Sequence, residues 1–255
     1  MSVDPIFTTL KRLIDPQRLN LYIYARNAPF LFTDPKGMDL ELEAKSVKEA
    51  KKRYELFQKG LKKEDRSHTK FFVGDGKNGY EKGKFYILVD KDHNSDSKNF
   101  QAVQFIANER KETALISVRG PKETIKITLA KKADIGSGIV LQSFRDSEGI
   151  DFAVGYGFSG QTALPLRGGG AIRAGELYSL SGKTEVYVAN DMPDVEIVAT
   201  MFHELSAHVF LSNFGRDPDK GAHELLPNKQ RDPKGETNKR AIEAEDEAKR
   251  NFIQP

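Results

Sequence analysis

Cysteine is absent from the 255-residue chain. Without thiols there is no disulfide scaffold, Cys-ligated zinc module, iron–sulfur centre or thiol enzyme. Histidine is scarce, at five residues, so a tight transition-metal site has to use imidazole and carboxylate. Long apolar runs are missing too. No stretch approaches the ~20 residues that a membrane span requires, and Met1 is followed by Ser2-Val3-Asp4-Pro5 rather than by a basic and then apolar leader. Neither sign of charge dominates, with 40 Lys+Arg against 37 Asp+Glu, so no strong net field draws the chain to nucleic acid or anionic lipid. The length suits one large domain, or a domain with an appendage, around a real core.

The run Thr33-Asp34-Pro35-Lys36-Gly37 forms turns and marks a boundary. Beyond it Val47, Ala50, Tyr54, Phe57 and Leu61 recur at steps of three and four, predicting a helix whose other faces carry Lys48, Lys51, Lys52, Arg53 and further lysines. Glu49 and Glu55 interrupt that basic face and no aromatic residues interleave, so a solvated surface is expected rather than a polyanion ridge. Residues 70–73 and 84–89 read as strands around a glycine-rich turn, and residues 100–108 as a short helix. Residues 113–118 and 124–129 alternate around Gly120-Pro121 as a β-hairpin would. Eleven of the 21 glycines lie between positions 136 and 182, which predicts turns and short strands there rather than helix. Gly155-Tyr156-Gly157-Phe158-Ser159-Gly160 formally matches a dinucleotide-binding loop, but Pro165 and three consecutive glycines at 168–170 follow where a helix would be needed. Residues 184–188 form another strand, able to align an extended substrate at a sheet edge.

Three of the five histidines, His203, His208 and His223, fall within 21 residues. The first two flank Glu204 in Met201-Phe202-His203-Glu204-Leu205-Ser206-Ala207-His208-Val209-Phe210. Asp191-Met192-Pro193-Asp194 opens a helix there, and Val195, Val198, Phe202, Leu205 and Val209 give it an apolar stripe. Two imidazoles beside a glutamate on one helix can bind a zinc ion and use its water. The five-residue spacing, however, rotates the second ring by roughly 140° on a regular helix. A π-bulge, with about 4.4 residues per turn, restores the angle to roughly 50°. The spacing therefore predicts a distorted helix.

A third ligand is required. Ala241, Glu245, Ala248 and Phe252 form one helical stripe, which puts Glu245 in the middle of an apolar face and favours it as the ligand from a second helix. His223, in the polar loop between the helices, is the competing third ligand, and Glu243 a further alternative. His223 or Arg216 could serve as a transition-state donor. Residues 191–255 hold 13 Asp+Glu against nine Lys+Arg, so the acidic end of the chain is where a cation is expected.

His203-Glu204-Leu205-Ser206-Ala207-His208 is similar to the His-Glu-x-x-Gly-His motif of the dipeptidyl peptidase III family, with Ala207 in place of glycine. Glu245-x-x-Ala248-x-x-Asn251 looks like the second motif of gluzincin-type peptidases. The resemblance implies an α+β fold: a zincin-like domain with a mixed, glycine-rich β region and a C-terminal pair of active-site helices. It also implies Zn2+ as cofactor, a protein or peptide substrate, and Glu204 as general base for the water.

Residues 1–38, above all the run Leu19-Asn20-Leu21-Tyr22-Ile23-Tyr24 and the later Asn27-Ala28-Pro29 and Asp34-Pro35-Lys36-Gly37-Met38, resemble the end of the RHS repeat-associated core. In that family the segment closes a β-cocoon and precedes a variable C-terminal module, often a toxin with an immunity protein. The resemblance implies autoprocessing by paired aspartates that map to Asp34 and Asp4, with no self-cleavage expected in the absence of the upstream cocoon. It divides the chain into a core tail, 1–38, and a zinc metallopeptidase domain, 39–255, secreted as part of a larger RHS protein. Two other functions compete: a non-catalytic module with a structural metal on His203, His208 and His223, and a toxin of other chemistry such as a nuclease working through Lys51, Lys52 and Arg53.

Overall fold

The computed structural model describes residues 40–77, 79–109, 112–120, 124–129, 150–153, 159–165, 177–179, 181–228 and 230–254. Asp4, Asp34 and the whole segment resembling the RHS core lie outside the described residues, as do 155–158 and 168–170 of the glycine region.

Alternation in the strands builds a two-sided sheet. β1 (Leu40–Leu42) pairs antiparallel with β3 (Phe85–Val89) and parallel with β4 (Ala114–Arg119), which pairs parallel with β9 (Thr184–Ala189). The register puts Leu40 beside Ile87 and Ala114, Leu42 beside Phe85 and Ile116, and Val118 beside Val188. These residues belong to one buried apolar cluster. Glu41, Ser117 and Tyr187 take the alternate positions and face the other way. Buried Glu41 is neutralised there by Lys183 at 2.6 Å and Lys84 at 3.5 Å.

β2 (Thr69–Val73) and β3 form the expected antiparallel pair around a glycine-containing turn. The full order is β2-β3-β1-β4-β9-β7-β8-β5-β6, with β5 (Thr124–Leu129), β6 (Ile150–Ala153), β7 (Gly160–Pro165) and β8 (Leu177–Ser179). Among the described residues, the glycine-rich region holds strands and no helix. Two strand expectations fail. β4 and β5 are not a hairpin: β4 lies between β1 and β9, while β5 pairs with β6 and β8. Alternation reports which face is buried and leaves the partner open. β9 has no edge to offer either, being bonded to β4 on one side and to β7 on the other.

The helices cover the apolar face, giving a mixed α/β architecture consistent with the α+β expectation. They are α1 (Val47–Lys59), α2 (Lys63–Arg66), α3 (Lys98–Asn108), α4 (Asp194–His203), α5 (Pro218–Gly221) and α6 (Glu236–Ile253). Ser46 caps α1 by accepting from the amide of Glu49, and Ser97 caps α3 by accepting from that of Phe100. Ala50 and Phe57 bury the apolar side of α1, although Val47 at its start is 45% exposed. Arg53 leaves the basic face altogether: it donates to the carbonyls of Glu43 and Val118 and to the Glu49 carboxylate. A buried polar set joins the helices, with Asn99 donating to Ala244 O at 2.9 Å and Asn251 to Gly60 O at 3.0 Å. No helix among the described residues is long and apolar enough to cross a membrane.

α4 reaches the core where α1 ends. The rings of Phe57 and Phe202 stack with centroids 5.4 Å apart, and Gly60 lets the chain pass Phe202. A Cβ on Gly60 would sit 2.2 Å from Phe202 Cε2 and 2.7 Å from Val198 Cγ1, while its φ of −80° suits any residue. Gly60→Ala therefore acts through overpacking alone and is expected to cost about 1–3 kcal/mol in urea denaturation. An unchanged midpoint would show that the α1–α4 contact is looser than described.

Candidate metal centre

The distortion demanded by the histidine spacing is present. α4 ends at His203 and continues as a π-helical turn, Glu204–Val209. The amide of Phe210 reaches back five residues to Leu205 O at 2.9 Å, and that of Phe214 to Val209 O at 3.0 Å. The extra residue per turn brings the two imidazoles to one side, with Nε2 of His203 3.2 Å from Nε2 of His208.

The third member of the cluster is His223. One nitrogen from each of His203, His208 and His223 lies within 4.8 Å of the others, so the three can hold a metal ion. Their Nδ1 atoms are taken. His203 Nδ1 faces Glu245 Oε1 at 2.5 Å, His208 Nδ1 faces Gly221 O at 2.6 Å, and His223 Nδ1 faces Asn238 Oδ1 at 2.5 Å. Asn238 spends its amide hydrogens on the carbonyls of Glu224 and Asp232, so its oxygen accepts from His223. A carbonyl can only accept from His208. Each Nδ1 thus carries a hydrogen, which leaves the Nε2 side of each ring as the one that could hold a metal.

The apolar stripe aims Glu245 at the site: it lines the same pocket and accepts from Nδ1 of His203, while His203, His208 and His223 are the three residues whose nitrogens cluster closely enough to share a metal. Glu243 pairs instead with Lys98 at 2.7 Å. Arg216 is also displaced, ion-paired to Glu109 at 3.2 Å, and does not line the pocket.

Glu204 is buried beside the cluster. Its Oε2 lies 4.0 Å from His208 Nε2 and accepts from Thr162 Oγ1 at 2.6 Å. Thr162 lies on β7, which approaches the helix closely because of Gly160: a Cβ there would lie 2.4 Å from Thr200 Cγ2 and 2.8 Å from Glu204 Oε1. The cluster opens into a pocket of about 310 Å³ walled by Gly160, Gln161, Thr200, Glu204, Arg231 and Glu245 together with the histidines. Thr162, Gly221 and Arg231 carried no periodic signal in the sequence. Asn238 did carry one, seven residues before Glu245 on the same buried face of α6.

No protein-family model, curated protein or solved structure matches the chain.

Protonation follows from this packing. Burial pushes the His208 imidazole below its ordinary value, helped by neighbouring His203 and opposed by the Glu204 carboxylate. Burial also takes His223 down, to about 4, with His208 and Arg231 adding to the effect. The hydrogen bond from His203 holds Glu245 below the usual carboxylate range, against the opposing effect of burial.

Two predictions follow from the donor set. If the cluster holds a divalent metal, His223→Ala is expected to abolish its binding as measured by chelator competition, while Glu245→Gln, which keeps an oxygen for His203, weakens it about 10–100-fold. The reverse ranking would restore Glu245 as the ligand. In metal-free protein the unfolded chain binds more protons than the folded one between an imidazole's ordinary 6.5 and the depressed folded value. Stability is then full above 6.5 and falls as the pH drops toward about 4. Urea midpoints should decline over that window and flatten in His223→Gln; a flat wild-type profile contradicts the buried neutral cluster.

Proposed function

We propose that this chain is a zinc-dependent metallopeptidase with His203, His208 and His223 as ligands and Glu204 as general base. The observation that carries the proposal is the convergence of one nitrogen from each of three histidines beside a buried glutamate on an open pocket. Tetrahedral zinc with Zn–N of about 2.0–2.1 Å separates two nitrogens by ~3.3 Å. The 3.2 Å between His203 and His208 fits that spacing. Three protein nitrogens leave one position open, as a catalytic zinc needs and a structural one does not. That count favours the enzyme over the non-catalytic alternative, although both use the same three histidines.

Bound zinc polarises a carbonyl oxygen and acidifies a water. The residues of the chain do the rest. Thr162 fixes the Glu204 carboxylate, which takes the proton of the attacking water as the new C–O bond forms. Glu204 then passes this proton to the amine as the C–N bond breaks. Glu245, Gly221 and Asn238 keep the three imidazoles in the binding tautomer. β7 is the strand suited to align an extended substrate. It pairs with β8 only from Leu164, so residues 160–163 have no strand partner on that side among the described residues.

The nuclease alternative loses support because Arg53, one of its three named cations, is bonded into the fold. The resemblance of residues 1–38 to an RHS core tail supports reading the peptidase as the effector module of such a protein, with an immunity protein as partner. Glu204→Gln tests the chemistry: it should retain one zinc per chain and lose hydrolysis of a casein or peptide-library substrate by at least about 10²-fold. Wild-type protein that binds no zinc, or a Glu204→Gln variant as active as wild type, would refute the assignment.

A further inference from the structure

The chain between α5 and α6 folds into a small hairpin. Leu225 bridges to Arg231, the amide of Leu226 donates to Gln230 O at 2.8 Å, and that of Asp232 to Glu224 O at 2.7 Å. His223 stands at its base, and Arg231 returns along the opposite arm to the pocket wall. Arg53, Arg66, Arg119, Arg216 and Arg240 all donate to carboxylates or carbonyls of the fold. Arg231, like Arg250 on α6, is exposed and has no ion pair among the described residues, but of the two Arg231 lines this pocket, where its charge acts on Glu245 as well as on His208 and His223.

The pocket's charges give that guanidinium a purpose. Two carboxylates, Glu204 and Glu245, face the cluster. A bound dication would balance them, and Arg231 would remain as surplus positive charge. The planar fork of a guanidinium matches a carboxylate, so this side chain can serve as an anchor. We propose that Arg231 binds a carboxylate of the substrate, making the site selective for peptides with an anionic group next to the cleaved bond. The carboxylate comes from the peptide's C-terminus or from an aspartate or glutamate side chain. This selectivity rests on the metallopeptidase assignment.

The test uses three zinc-chelating peptide hydroxamates of equal length. One ends in a free α-carboxylate, one in a C-terminal amide, and one in an amide with a glutamate side chain. Calorimetry on zinc-loaded protein should give one carboxylate probe roughly tenfold tighter binding than the plain amide at low salt. Which of the two gains identifies the source of the anion. The preference should shrink as salt screens the exposed guanidinium, and Arg231→Gln should remove it with zinc content retained. Equal affinity for all three probes, or a preference that survives Arg231→Gln, overturns the role of Arg231 while leaving the metal centre standing. Protein that loads no zinc overturns the metallopeptidase assignment and this inference together.

Discussion

One backbone irregularity governs the site. Residues five apart on a regular helix face away from each other, and only the wider π turn from Glu204 to Val209 brings His208 round to His203. A π turn has poorer hydrogen-bond geometry than an α-helix, so the surroundings must hold it. Leu205, Ala207 and Val209 are fully buried, Ser206 donates to Asn99, and the carbonyl of Gly221 holds the His208 ring from outside. The same helix supplies Phe202 to the stack with Phe57, so the packing of the core and the aim of the ligands are set by neighbouring residues.

The second half of the site depends on a reciprocal arrangement at the start of α6. No side chain of the preceding Gly235 can cap this helix. Glu224 takes over, accepting from the amides of Thr237 and Asn238 at 3.0 and 3.3 Å. Burial opposes its ionisation, but those amide bonds hold its carboxyl below the usual range. Asn238 in turn accepts from His223, the residue beside Glu224 in the chain. The loop caps the helix and the helix orients the loop's histidine. A histidine of the candidate metal cluster, placed on a polar loop, is thereby tied to a helix.

This explains how much was legible. The helices, the β2–β3 pair and the distorted histidine helix follow from local periodicity and spacing. Glu245 was also locatable, because an acid on the apolar stripe of Ala241 and Ala248 has to meet something polar. What failed was pairing across the chain: β4 with β1 and β9 rather than β5, and β7 rather than β9 as the strand beside the pocket. Thr162 is 42 residues from Glu204, and no local pattern links them.

The electrostatics of the cluster connect these parts. Three imidazoles whose centroids lie 4.7 to 5.3 Å apart cannot all be charged, and burial keeps at least His208 and His223 neutral. Neutral rings need no counter-charge, yet two carboxylates stand next to them. Glu245 finds a donor in His203 and Glu204 one in Thr162, each a single hydrogen bond for a group able to accept several. Glu204 is the buried one of the two, and a buried carboxylate so sparsely satisfied favours a cation beside it. The clustering of the three nitrogens and the buried charge of Glu204 beside them therefore agree on where a cation could sit.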